Sequence, residues 1–563
     1  MVRNSFDYVI VGAGSAGCVL ANRLTEDANK SVLLLEYGGK DNSIFVQMPT
    51  ALQIPMNMPR FNWGFWSDPE PKINDRLIDV SRGKGLGGSS SINGMIHVRG
   101  NACDLDQWEE LGAKGWAYKD CLPYYKKAEN CAYGEDEYRG GDGPLYTCNG
   151  NGMKNPLYKA FIDAGNEAGY GITDDYNGYR QEGMSKMDMT VKGGVRCSTA
   201  NAYLKPVLHR SNLTVITNAL TKRVVLEGKK AVGVEYEKNG KTQQVRANIE
   251  VILSAGAIGS PHIMQMSGIG PAGVLKNAGI EMLHELPGVG ENLNDHLESV
   301  IQYETGLPVS LNRHMGLFGK FLIGARWFFF KSGLGATNHF ESTGFIRTRA
   351  GLKWPNVQFH FMPAVVRYDN KGNAGPEGYQ IHFGINKLKS RGWVHAKSSD
   401  PLEKPEIVLN HFQDQQDIDD YRMAFRLTRE IGMQPAFDRF RKREIDPGDD
   451  VQTDDEVDAW VRENVETAYH PTCTCKIGAA ADPMAVVDPD CRVRGIDGLR
   501  IVDSSIFPSV PNGNTNGPTI MVGEKAADII KGKNPMPPSN ALTYVAPNWE
   551  ARQREGRALR SLL

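Results

Sequence analysis

At 563 residues the chain is longer than one hydrophobic core ordinarily serves, so two or more cores are expected. With 64 Lys and Arg against 66 Asp and Glu, the formal charge is −2, which gives no overall basic field and excludes nucleic acid as an expected partner. The 9 cysteines are odd in number and thinly spread, which suits a reducing compartment better than a disulfide framework. The one close pair, Cys473 and Cys475, lacks further ligands at suitable spacing, so no metal is expected.

The N-terminus enters a strand within a few residues and shows no charged leader or cleavable apolar stretch, so a cytoplasmic location is expected, with contact at the inner membrane face left open. That first segment, "DYVIVGAGSAGCVLANRL" from Asp7 to Leu24, is a β-branched run, a glycine-rich turn and a helix-spaced apolar pattern. Gly12 permits the tight turn, Gly14 lets backbone approach a pyrophosphate, and Gly17 allows close helix–strand packing, with Ser15 and Ala16 at the helix N-terminus. A second strand, Ser31 to Leu35, ends in Glu36, an acid positioned to accept hydrogen bonds from both ribose hydroxyls of a dinucleotide.

A long stretch rich in Pro, Asn and aromatics follows, instead of further regular strand–helix units. It leads into "SRGKGLGGSSSINGMIHVRG", Ser81 to Gly100, whose 6 glycines and 4 serines can bring backbone N–H groups against a large flat ligand. Two glycine-rich approaches predict one long cofactor touched at both ends. Further on, "MGLFGKFLIGARWFFF" at Met315 to Phe330 is interrupted by Lys320 and Arg326 and is too short to span a membrane. It fits either an amphipathic helix on a membrane surface or, the plainer expectation, a helix packed on its own domain. Alternating runs at Val357–Phe361 and Gln380–Phe383 predict an antiparallel sheet under helices. "DGLRIVDSSIFP" predicts a late buried strand and turn, followed by a helix from about Thr519 that returns to the first domain. The tail after Gly532, Pro- and Asn-rich and then Arg-rich, predicts a loose or docked extension.

Five ordered motifs carry a family resemblance over nearly the whole chain: the nucleotide loop, Gly83 to Asn93, "SAGAIGSPHIMQMSGIG", "LPGVGENLNDH", and "YHPTCTCKIG" with "RIVDSSIFPSVPNGNTNGPTIMVGEKAAD". On these the chain resembles the glucose–methanol–choline (GMC) flavoprotein oxidoreductases, and within them the choline-oxidising members. The resemblance implies an α/β fold (α+β overall): a Rossmann-like FAD-binding domain with an inserted antiparallel-sheet substrate domain. The implied cofactor part is 1–155, 195–305 and 465–535, the substrate part 156–194 and 306–464, and the extension 536–563.

The cofactor so implied is FAD. Glu36 falls on the adenosine ribose, Val224 on adenine, and Ala255, Gly256 and Asp503 on the nucleotide and ribityl chain. Lys84, Gly88, Asn93, Gly94, Met95 and Ile96 fall beside the flavin, with Asn514 and Thr515 nearby. Ile92 stands where some choline-oxidising members carry a histidine linked to the flavin, and His97 is displaced from that position, so non-covalent FAD is expected.

Oxidising an alcohol removes a hydroxyl proton and a hydride from one carbon, so a base and an oxyanion partner are needed. His470, in "AYHP", matches the family's active-site histidine. Asn514, in "NGNTNG", matches a position that holds a second histidine or an asparagine; as a bare sequence feature it is equally a turn residue. A quaternary ammonium ligand offers no N–H and is recognised by aromatic faces and a carboxylate. Trp63, Tyr469 and Glu341 fall where choline-oxidising relatives place that box, although Trp63 suits a core and Glu341 a surface acid, and His360 is a further pocket candidate. The resulting expectation is FAD-dependent oxidation of choline or a similar alcohol, with a quinone, another carrier or oxygen as acceptor. A neutral aliphatic, aryl or polyol alcohol on the same scaffold, and a flavin-binding protein without turnover, stay as alternatives.

Overall fold

The structure, a computed structural model, describes residues 4–366 and 375–554. The final arginines of the tail lie outside the described residues.

The N-terminal β-branched run forms the strand Ser5–Val11, which sits inside a seven-stranded sheet. It pairs in parallel with Val32–Leu35 on one side and with Lys241–Leu253 on the other; Leu213–Ile216 and Leu499–Ile501 extend the parallel part outward. Strands covered on both faces are continuously apolar, and Val32–Leu35 is buried throughout. Lys241–Leu253 shows both habits. Its first half is largely exposed in a hairpin with Lys230–Lys238, and Val251, Ile252 and Leu253 are buried where the strand joins the parallel centre. The helices Ser15–Leu24 and Asn516–Ile530 cover one face, so the chain does return to its first domain near the C-terminus. That return begins at Asn516, earlier than Thr519, because Pro518 sits comfortably in a first turn.

A second seven-stranded sheet is antiparallel throughout. Its order is Arg441–Asp446, Leu297–Thr305, Gly378–Ile385, Val357–Met362, Ser342–Ile346 and Gly183–Lys186, with Glu466–Thr467 pairing to Leu297 and Glu298. Leu297–Thr305, which the sequence reading put with the cofactor part, belongs to this sheet. It follows the Leu286–His296 loop with no linker-like break in composition, which is why the boundary was illegible.

The alternation in Val357–Met362 has a specific cause. Phe359 and Phe361 turn to the helix Pro156–Glu167, where Phe361 stacks on Phe161 at 4.9 Å. The helix Gln415–Gly432 packs on the same layer through Tyr421 and Phe425 against Phe383. Of the polar positions, His360 faces a cavity and Gln358 donates to Asn514 Oδ1 at 3.1 Å, so neither meets solvent and the whole strand is buried. The 315–330 run is helical at Leu317–Phe330, yet only Trp327 is buried, which overturns the plainer expectation of a helix packed on its own domain. The tail is docked: Ser539 N donates to Lys119 O, and Arg554 pairs with Glu430 at 3.1 Å.

Candidate active site

A cavity of about 2370 Å³ runs from the glycine loop of the first sheet to the inner face of the second. At one end, Gly12 adopts φ +101°, and a Cβ there would meet Ser254 O at 2.5 Å. A Cβ on Gly17 would meet Gly12 O at 2.0 Å, so this glycine serves helix–strand packing and does not itself line the cavity. Gly14, Ser15 and Ala16 do line it, at the N-terminus of the Ser15–Leu24 helix where free amides favour a phosphate. The Glu36 carboxylate accepts from Ala13 N at 3.0 Å and Gly38 N at 2.7 Å, and burial raises its pKa against those amides.

The two glycine-rich segments do not take opposite ends. Gly87 N donates to Ala13 O at 2.7 Å, and a Cβ on Gly88 would meet Gly14 Cα at 2.7 Å. They pack on each other at the phosphate end, and residues 92–96 then lead along the cavity. Arg196, fully buried, holds that lead: its guanidinium donates to the Asn93 carbonyl at 2.6 Å and side-chain oxygen at 2.8 Å, and burial pulls its pKa down to about 9. Lys84, Gly88, Ile92, Asn93, Gly94, Met95, Ile96, Ala255, Gly256, Asp503, Asn514 and Thr515 all line the cavity. Asp503 accepts from Gly256 N at 2.8 Å and Ser260 Oγ at 2.6 Å, while burial raises its pKa. Val224 does not line it. Its N–H is taken by Ser267 Oγ at 2.8 Å, and Ala219 to Lys222, earlier on the same edge, face the cavity instead. The glycine cradle, the helix N-terminus and the Glu36 carboxylate fit the pyrophosphate and ribose of FAD, with Lys84 to Ile96 continuing toward its ring.

At the other end, His470 lines the cavity beside two nitrogen partners. Its Nδ1 lies 3.0 Å from His296 Nδ1, and its Nε2 lies 3.1 Å from Asn514 Nδ2. The Asn514 oxygen accepts from Gln358 Nε2 at 3.1 Å, which turns the amide so that its N–H2 points at His470. Nε2 therefore carries the lone pair, and Nδ1–H donates to His296. Burial, then the His360 and Arg82 charges, push the His470 pKa down to about 3 against an opposing pull from Glu298. The backbone is fixed as tightly. His470 N donates to Asp295 Oδ1 at 2.7 Å, and Tyr469 holds φ +63°, a left-handed conformation that costs about 1–3 kcal/mol. Arg82 Nη2 on Tyr469 O at 2.7 Å and Tyr469 N on Thr467 Oγ1 at 2.8 Å maintain it.

Trp63, His360 and Tyr469 line the cavity, and Trp63 lies between Tyr37 and Phe65 with ring centroids 4.9 and 5.6 Å away. Glu341 does not. Its carboxylate is buried outside the cavity, accepting from Met153 N at 2.8 Å and Thr337 Oγ1 at 3.0 Å, so it closes a turn. The acid that faces the cavity is Glu298, which the sequence reading missed. One of its oxygens lies 2.9 Å from His360 Nδ1 and the other 2.7 Å from His382 Nδ1. Burial would raise its pKa, but the two imidazoles overcome this and hold the carboxylate well below its usual range. Phe340, also lining, sets its ring edge-on to both imidazoles at 6.0 and 5.5 Å. Glu298 sits only two residues beyond His296, where the motif passes into a strand whose alternate positions Glu298, Val300 and Gln302 line the cavity.

Family models described as GMC oxidoreductase match residues 6–298 and 389–523. The chain is a GMC oxidoreductase. This GMC oxidoreductase is 58% identical over 562 residues to a protein of Photobacterium profundum named oxygen-dependent choline dehydrogenase, covering 100% of the chain and 99% of the relative. A protein of the same name from Brucella ovis is 52% identical and covers 97% and 100% of the two chains. Among solved structures, pyridoxine 4-oxidase from Mesorbium loti matches at 29% identity with a TM-score of 0.85, over 94% of this chain and 100% of that one. An Aspergillus oryzae formate oxidase matches at 25% identity and TM-score 0.87, over 94% and 98%.

Proposed function

We propose that this GMC oxidoreductase oxidises choline, or a closely similar quaternary ammonium alcohol, to its aldehyde, with His470 as proton acceptor and Glu298 as the anion facing the cation. The observation that carries the reading is Glu298: an ionised carboxylate held by two imidazoles on the wall of the cavity that also contains His470 and Asn514. The full-length relatives at 52–58% identity, named for choline, support the same substrate.

FAD, when bound, supplies the hydride acceptor at its N5. The chain's own residues do the rest. The cation rests against Glu298, with cavity aromatics Trp63, Tyr469 and Phe340 supplying faces that a permanent cation favours by about 0.5–2 kcal/mol per well-placed ring. The hydroxyl proton passes to His470 Nε2. Because burial keeps the imidazole neutral across the working pH range, the base is always in its accepting form, and it holds the proton only while negative charge is near. Asn514 donates to the developing alkoxide without titrating. Ile92 at the position of the flavin-linked histidine supports non-covalent FAD. The relatives' names make dioxygen the acceptor to test first.

Steady-state turnover over an alcohol panel tests the reading. Choline is expected to exceed its neutral isostere 3,3-dimethylbutan-1-ol in kcat/KM by about tenfold or more, the scale of one cation–carboxylate contact in a partly desolvated site. Equal or better use of the neutral alcohol would overturn the substrate class.

A further inference from the structure

The helix Leu317–Phe330 stands out from the molecule. Leu317 is 91% exposed, Phe318 74% and Phe330 74%, and Phe321, Leu322, Phe328 and Phe329 are exposed beside them. A contiguous array of large apolar side chains is costly in water unless something covers it. The helix is nonetheless firmly seated. Trp327 is buried against Met48 and Ala51, its Nε1 donates to Gly194 O at 2.6 Å, and the Lys331 ammonium lies 3.7 Å over its ring. One anchored residue thus presents the remaining apolar surface outward. Phe321, Phe328 and Phe329 also line the large cavity, as do exposed Ile44, Phe45 and Ile54 from the segment beside the anchor, so the apolar surface rims the cavity on both sides.

Charge identifies the occupant. Between Gly306 and Phe340 there are 4 Lys and Arg and no Asp or Glu, in a chain whose net charge is −2. A second copy docking face to face would bring the same cations together with no acid to answer them, since a two-fold contact is self-complementary only if its charges are. An anionic lipid surface answers both features, taking the Phe and Leu side chains into its acyl boundary and the Lys and Arg into its headgroups. Among the described residues no helix is long and apolar enough to cross a membrane, and at about 1.5 Å per residue this one reaches only about 21 Å, so it lies in the interface instead of spanning it.

We propose that the Leu317–Phe330 helix docks the protein on an anionic lipid bilayer, with the apolar rim of its cavity turned toward the lipid. Flotation of the full-length FAD-loaded enzyme with vesicles of phosphatidylcholine, with and without phosphatidylglycerol, tests this. The parent protein should float with phosphatidylglycerol vesicles, less with pure phosphatidylcholine, and less in high salt. The triple variant Leu317→Ser, Phe318→Ser, Phe330→Ser replaces no cavity-lining residue. It should bind vesicles at least about tenfold more weakly while keeping its flavin and its turnover with a water-soluble acceptor. Hydrogen exchange on the parent protein needs no variant: vesicles should protect 317–330 selectively. The assignment is overturned if the parent ignores both vesicle types, if the variant floats as the parent does, or if sedimentation shows the parent self-associating through this helix without lipid.

Discussion

The Gln358 amide holds the Asn514 oxygen at 3.1 Å, and the Asn514 nitrogen in turn lies 3.1 Å from His470 Nε2. A residue on the substrate sheet thereby sets which way an amide from the C-terminal loop points, and with it which nitrogen of the base carries the lone pair. Gln358→Leu should slow anaerobic flavin reduction by about tenfold with little change in choline binding, the pattern of a residue acting through another. Asn514→Ala removes the donor itself and should cost about 10²–10³-fold, as loss of one oxyanion donor does. Stopped-flow reduction measures both.

His470→Ala should slow flavin reduction by roughly 10²–10⁴-fold with FAD retained, because only the proton acceptor is lost. Reduction at the parent's rate would take His470 out of the reaction.

Acid should destabilise the fold early. Against an ordinary imidazole value of 6.5, burial pulls His470 and His411 down to about 3. A depressed imidazole pKa means that the unfolded chain binds protons which the folded chain refuses, so stability is full above about 6.5 and falls as pH drops toward the folded values. Each such group contributes up to about 1.4 kcal/mol per pH unit in that window. Thermal denaturation followed from pH 7 to pH 5 should show Tm falling steadily; a flat profile would contradict the burial of these histidines.

Acid-precipitated holoenzyme should release all its yellow colour, because Ile92 cannot make a flavin link. Fluorescent flavin remaining on the polypeptide would point to another attachment, with His97 the first residue to examine.

Glu341→Gln should leave the ratio of choline to 3,3-dimethylbutan-1-ol activity unchanged. Its carboxylate serves Met153 and Thr337, so the loss should appear as lower thermal stability, on the scale of about 1–3 kcal/mol for a weakened buried hydrogen bond to a charged group.

What was legible in the sequence follows the range of its physical signal. The strand–glycine–helix–acid unit around Gly12 and Glu36 is local, set by φ, sterics and helix-end amides, and it reads correctly. The antiparallel strands at 357–362 and 378–385 also read from alternation, but their polar faces are kept from solvent because a second domain covers them, which no periodicity conveys. Glu341 and Glu298 show the limit most clearly. Both are acids near strand starts, and only the register of Leu297–Thr305 against Gly378–Ile385, which pairs Val300 with His382, decides which one meets the cavity. His296, Gln358 and Arg196 act through contacts more than a hundred residues away in sequence, so no local pattern marks them. The Leu317–Phe330 helix was legible as a helix, but its exposure depends on what the rest of the chain leaves uncovered.

The most direct test of the central claim is the Glu298→Gln variant, in which flavin reduction is compared for choline and 3,3-dimethylbutan-1-ol. The amide keeps the shape and removes the charge, so choline should lose at least about tenfold more in kred/Kd than its neutral isostere. Equal losses for the two alcohols would show that Glu298 organises the cavity without recognising a cation, and would contradict the account.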